Sequence, residues 1–289
     1  MDTDQHRFLI LWDISVFIGV YLWFLKGMNS KVSYCGELVR KHDPDRFLLS
    51  MFAPAAVRED LWALFAFNYE IAKTREVVSE TQLGLIRLQW WRERIAGIYD
   101  GEMTLGNEVL EALAGVIERY DLPQEHFDIL LHAREFDLEG VLPGNVEGLV
   151  NYVDFTSTPL LKLALAVAGG DVQREPVQVV AVNAALVGVL RAVPFHARQR
   201  RCTLPEDLLQ RAGQRLDHLY EFKPVEGLYE VIKTVLEQFV EGVSCENVLL
   251  RKQQKLAEIY MRQLKYCGYD VFHPKMAVVP AFKALRLIF

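Results

Sequence analysis

From Ser33 onward, apolar residues return every three or four positions, a period that builds amphipathic helices, and few Val/Ile/Thr alternations suggest strands. Leu61, Leu64, Phe65 and Ile71 follow that spacing, as do Leu83, Ile86, Trp90 and Ile95 in the next segment. Breaks fall at Pro44, Pro54, residues 101–106, Asp121-Leu122-Pro123, Leu142-Pro143-Gly144, Gly169-Gly170 and Lys223-Pro224. Asp121 before Pro123, and Ser157 or Thr158 before Pro159, read as helix starts, by capping and first-turn proline logic. Residues 226–264 read as one or two long helices with a bend or break at Gly242. No repeat or low-complexity linker divides the chain, so the expectation is a single all-α domain over residues 28–289.

A chain of 289 residues buries about 75% of its unfolded surface, which is ample for one core. The net charge of -6 argues against nucleic acid as a partner, since phosphate-tracking domains carry a basic balance or stripe. Cys35, Cys202, Cys245 and Cys267 form no C-x-x-C pair, and are expected to be reduced packing residues of an intracellular protein. Residues 8–25, FLILWDISVFIGVYLWFL, form an apolar run interrupted by Asp13 and just long enough for a bilayer span. A signal peptide fits poorly, for want of a basic n-region and a cleavage site. Residues 1–27 are therefore an apolar extension, read either as an anchor or as sequence upstream of a start at Met28.

Five stretches, in order, resemble the squalene/phytoene synthase superfamily. They are residues 45–68 (DRFLLSMFAPAAVREDLWALFAFN), 84–101 (GLIRLQWWRERIAGIYDG), 152–170 (YVDFTSTPLLKLALAVAGG), 190–205 (LRAVPFHARQRRCTLP) and 260–276 (YMRQLKYCGYDVFHPKM). Within it the chain is most similar to the complex I assembly factors and their bacterial relatives. That branch carries A-F-N for the enzymes' A-F-C-R, then V-S-E, a G-L-x-R-x-Q-x-W block and L-R-A-x-P-x-H. Here these are Ala66-Phe67-Asn68, Val78-Ser79-Glu80, the block from Gly84 to Trp91, and Leu190-Arg191-Ala192-Val193-Pro194-Phe195-His196. The resemblance implies an isoprenoid-synthase helical fold and a non-catalytic role in assembling NADH:quinone oxidoreductase.

Head-to-head condensation of prenyl diphosphates needs magnesium held by carboxylates on two facing helices. In the enzymes the stretch matching 190–205 supplies one pair of aspartates. Here Ala192 and His196 stand in those places, so no catalytic residue and no metal is expected. For the first motif, ungapped alignment puts Ala72 and Lys73 at the paired aspartates and Glu76 at the later one. A gapped alignment matches Glu76 and Glu80, an i,i+4 acidic pair that is either a solvated face or a remnant single-metal site. Arg191, His196, Arg198, Arg200 and Arg201 replace acid with cation, and are either a basic surface turn or a grip on an anionic headgroup or diphosphate.

Trp90 and Trp91 share a helix with Arg87, Arg92 and Arg94; Trp90 is expected to pack in the core, the alternative being a membrane-surface stripe. His42, His126, His132 and His273 lack metal-ligand spacing, and no G-x-S-x-G, Walker or G-x-G-x-x-G element occurs. The alternative reading is a prenyltransferase with Mg2+ held by Glu76, Glu80, Asp137 and Glu139. Expected partners are complex I subunits or assembly intermediates, a lipid or prenyl ligand, and a membrane surface. The location implied is the cytoplasm or the cytoplasmic face of a bacterial inner membrane, or the matrix face in a mitochondrion.

Overall fold

The computed structural model describes residues 32–222 and 227–288, so the apolar run at 8–25 and the break at Lys223-Pro224 lie outside the described residues. Every regular element among the described residues is helical, in accord with the all-α expectation. The chain runs α1 (Tyr34–His42), α2 (Pro44–Ser50), α3 (Arg58–Ala72), α4 (Thr74–Val77), α5 (Thr81–Tyr99), α6 (Glu108–Tyr120) and α7 (Gln124–Glu139). It continues through α8 (Val146–Val167), α9 (Val177–Arg198), α10 (Glu206–Arg211), α11 (Leu216–Tyr220), α12 (Leu228–Leu236), α13 (Val248–Tyr266) and α14 (Lys283–Ile288).

Helix α3 is the axis. Every residue from Asp60 to Asn68 is buried, as expected of a helix that is apolar nearly all round. Around it pack α1, α2, α6, α7 and α8, and Phe67 meets Trp91 and Phe127 edge to face. Asp60 is buried because it is answered: Arg119 Nη1 donates to it at 2.5 Å and the Tyr120 hydroxyl at 2.8 Å, tying α3 to α6. Helix α9 packs against α8 and α13. It is long and apolar enough to cross a membrane, but Leu186, Val187, Leu190 and Val193 are buried in the core.

Some local expectations are corrected. Asp121 is not a helix start but the left-handed C-terminal cap of α6 (φ 48°), and α7 begins after Pro123. Pro159 opens no helix. Helix α8 runs through it, capped at Asn145, whose side chain accepts from Gly148 N at 2.8 Å, and packed on both sides by α7 and α9. Near the proline, Thr156 Oγ1 donates to the carbonyls of Tyr152 and Val153, and the one carbonyl that Pro159 leaves without its helical donor is that of Phe155. Within 226–264 the expected break at Gly242 is present: α12 stops at Leu236 and α13 starts at Val248, with Gly242 left-handed between them (φ 73°). The core tryptophan of α5 is also the neighbour of the one expected: Trp91 is 1% exposed and Trp90 is 40% exposed.

Candidate functional site

A cleft of about 790 Å3 opens between α7, α8 and the turn that follows α9. Ile129 and Phe136 of α7, Phe155 of α8, and Val141 and Leu142 of the connection make its wall apolar. Into the same space face Arg75 of α4 and Arg200, Arg201, Cys202 and Thr203 of the turn. The turn ends α9 with paired bonds, Arg200 N to Ala197 O at 3.0 Å and Arg201 N to His196 O at 2.9 Å. Such a cap needs one left-handed residue, usually glycine. Here it is Arg200, at φ 53°.

The floor is polar and buried. Asp137 accepts from the Tyr152 hydroxyl at 2.6 Å and from Arg134 Nη1 at 3.1 Å. Burial, reinforced by Asp137, pushes the Tyr152 phenol well above its ordinary value. His196 borders the same floor, its Nδ1 3.4 Å from Thr203 Oγ1. Burial, with help from the Arg201 charge and against the pull of Asp137, brings its pKa down to about 4, so the ring is neutral at physiological pH. Burial pushes the Cys202 thiol up to about 11, which makes it a poor nucleophile.

Of the five residues read from the sequence, Arg200 and Arg201 line the cleft, and the neutral His196 lies beside it through Thr203. Arg191 does not. Five residues before His196 it points about 140° away around α9. There its guanidinium lies 3.4 Å over the Tyr260 ring and 3.7 Å from Asp45, which also accepts from Lys283, so it fastens α9 to α2, α13 and α14. Arg198 is exposed over the Phe222 ring at 5.8 Å and does not line the cleft. Arg75 takes the missing place: it makes no ion pair among the described residues, nor does Arg201, and its buried Nε has no hydrogen-bond partner. Its signal lay in the register of the first motif, one residue before Glu76, where acids were sought and a cation stood.

Glu76 and Glu80 do not form a pair on one helix face. Glu76 closes the single turn of α4, Val78 is extended, and Glu80 is the extended residue before α5; both glutamates are exposed. Lys73 is engaged by Glu70, and Ala72 ends α3. Glu139 is exposed at the end of α7, while Asp137 is committed to Tyr152 and Arg134. Ala192 offers no donor oxygen, and no three His, Cys, Asp or Glu side chains converge among the described residues. A magnesium-diphosphate cluster wants several carboxylates converging on it; a cleft lined by three guanidiniums, Asp137 committed to Tyr152 and Arg134, and Asp128 does not fit it.

An all-helical body with an apolar-walled cleft that holds charged groups is an isoprenoid-synthase architecture. The model of squalene/phytoene synthase matches residues 39–241, and the chain belongs to that family. It is 27% identical over 262 residues to NADH dehydrogenase (ubiquinone) complex I, assembly factor 6, of Bos taurus, covering 86% of this chain and 78% of that protein. The protein of the same name from Homo sapiens is 27% identical over 84% of this chain and 76% of its own length. Phytoene synthase 1 of Arabidopsis thaliana is 21% identical, covering 71% of this chain and 50% of the plant protein. Among solved structures, squalene synthase HpnC of Alicyclobacillus acidocaldarius superposes with a TM-score of 0.66 at 19% identity, over 81% of this chain and 93% of its own. A dehydrosqualene synthase in complex with ligand gives 0.64 at 19% identity, over 88% and 93%. At that identity the likeness is one of fold.

Proposed function

We propose that this chain is a non-catalytic member of the family that serves the assembly of respiratory complex I, and that its cleft grips an anionic headgroup or diphosphate through guanidinium groups rather than metal. The likeness to named assembly factors over 86% of the chain carries the first half of the reading. The second half rests on the cleft's donor set. Arg75 and Arg201 make no ion pair among the described residues, although Asp128 and Asp137 line the same cleft, and they stand beside an apolar wall suited to a lipid or prenyl tail. Neither arginine ionises a diphosphate, because neither withdraws charge from the leaving group as a bridging dication does. The clients would be complex I subunits or assembly intermediates, at the matrix face of a mitochondrial membrane or the cytoplasmic face of a bacterial one.

The test pairs chemistry with genetics. Purified protein is incubated with farnesyl and geranylgeranyl diphosphate, with and without Mg2+, beside an active synthase; no diphosphate release is expected. Removal of the gene is expected to deplete assembled complex I. Magnesium-dependent turnover, or intact complex I without the gene, would overturn the corresponding half.

A further inference from the structure

Charge is spread unevenly along this chain. Its net charge is -6, yet residues 248–289 hold eight Lys or Arg against two Asp or Glu. The fold gathers that excess into one strip. Lys252 Nζ donates to the carbonyls of Leu287 and Ile288, and Gln263 Nε2 to those of Lys275 and Val278, so residues 275–288 run back antiparallel along α13. Beside them Arg251, Lys255 and Arg262, four and seven residues apart, share the adjoining face of α13. The connection from α13 to α14 adds the apolar part. Val278, Val279 and Phe282 are 63%, 62% and 74% exposed, Ala277 and Ala281 are exposed beside them, and Phe282 holds a left-handed turn (φ 55°).

We propose that this strip rests on a membrane: Val278, Val279 and Phe282 enter the interfacial layer of an anionic phospholipid bilayer, and the cations of α13 and α14 meet its headgroups. The proposal requires neither the cleft's ligand nor the assembly role.

Two observations select this occupant. The first is the sign and availability of the charge. Arg251, Lys255, Lys275 and Arg286 make no ion pair among the described residues. Most carboxylates that the structure ties to the strip are engaged: Asp45 by Lys283, Glu241 by Lys265 at 2.8 Å, Glu258 by Arg262 at 3.3 Å, and Glu175 by the amides of Glu246 and Asn247 that lead into α13. Glu246 and Asp270 stand exposed at its two ends. Burial, with the charges of Lys255 and Arg251, lowers the Lys252 amine below its ordinary value, a sign that the positive field there is not cancelled. The second is shape. Five exposed apolar residues within 277–282 protrude and offer no groove for a partner's side chain to fill, whereas a fluid interface accepts them. The cations from Arg251 to Arg262 span about 16 Å of helix, the reach of a row of headgroups rather than of one ligand. Apolar side chains bordered by unpaired cations suit an anionic interface.

The full-length protein with Trp12→Phe, Trp23→Phe and Trp90→Phe keeps only the buried Trp62 and Trp91, and Phe282→Trp adds a reporter on the strip. Vesicles of phosphatidylcholine and phosphatidylglycerol, brominated high on the acyl chain, are added and tryptophan emission is followed. Strong quenching with a blue shift is expected, and neither with phosphatidylcholine alone. Arg251→Glu/Lys255→Glu should weaken the quenching severalfold and leave the melting curve in place, since neither side chain has an ion partner to lose. Flotation with vesicles but without quenching would mean that the protein is held elsewhere, and overturns the proposal. Quenching indifferent to lipid charge or to the two reversals overturns it as well, and so does no binding to vesicles, the result expected if the strip meets an acidic protein instead. A reporter shielded from aqueous quencher without vesicles, and uncovered by deleting residues 1–27, would make that segment the occupant and overturn it too.

Discussion

His196 shows what burial does to one side chain. Near the end of α9 this chain has a buried imidazole whose pKa falls from 6.5 to about 4. The unfolded chain binds the proton more readily than the native one between those values, so stability is full above pH 6.5 and declines as pH falls toward 4. The decline due to this residue is on the order of 3 kcal/mol. Urea unfolding across that range should show His196→Gln losing less stability on acidification than the parent. Arg200 makes the complementary case. An arginine in the left-handed cap position costs about 1 kcal/mol relative to glycine. Its compensations are an exposed pair with Asp217 at 3.7 Å and a contact with the Tyr220 ring, which are worth little in water. Arg200→Gly should raise Tm by about 2–4 °C in a circular dichroism melt. The same change should weaken anion binding in the cleft, because it removes one of the three guanidiniums.

Elements are where the sequence pattern was read most faithfully and, at α5, least. The period of three and four gave the helix, but both Trp90 and Trp91 fit an apolar stripe, and only the position of α7 decided which one is core. That contact is close because Gly84 lets it be: a Cβ there would stand 2.6 Å from Leu138 Cδ2. Gly84→Val should cost about 2–3 kcal/mol through overpacking, seen as a lower urea midpoint with unchanged slope. Gly84→Ala should cost less, since its better helix propensity offsets part of the clash. Pro159, read as the first turn of a helix, and Pro194 both sit inside helices, α8 and α9, although proline disfavours a helix interior; α7 and α9 pack on α8, and α8 and α13 on α9. Tertiary contacts outweigh the lost backbone bond.

At the scale of the whole molecule, the cleft assembles residues that no local window joins. Arg75 follows α3, Asp137 closes α7, Tyr152 opens α8, and Arg200 and Arg201 end α9. Replacing Arg75 and Arg201 together by alanine should weaken binding of a phosphate-headed amphiphile by more than tenfold per arginine, since a hydrogen bond to a charged group is worth about 1.5–3 kcal/mol. Calorimetry in EDTA checks this, and binding that needs added Mg2+ would contradict a guanidinium grip. Both side chains face the cleft rather than the core, so the melting curve should move little.

The sequence by itself determined the helical class and the family, because periodicity, proline and glycine breaks and short ordered motifs are properties of neighbours along the chain. It also placed Ala192 and His196, neither of them a carboxylate, in the basic stretch, which is a matter of residue identity. The tertiary structure alone decided which cations share a space. Arg191 and Arg201 are ten residues apart in one basic stretch, yet one is stacked on Tyr260 and the other faces the cleft, while Arg75 joins the latter from over a hundred residues away. The reason is geometric: a helix turns each side chain about 100° from the last, and which direction becomes a cleft is set only when α7 and α8 pack beside it.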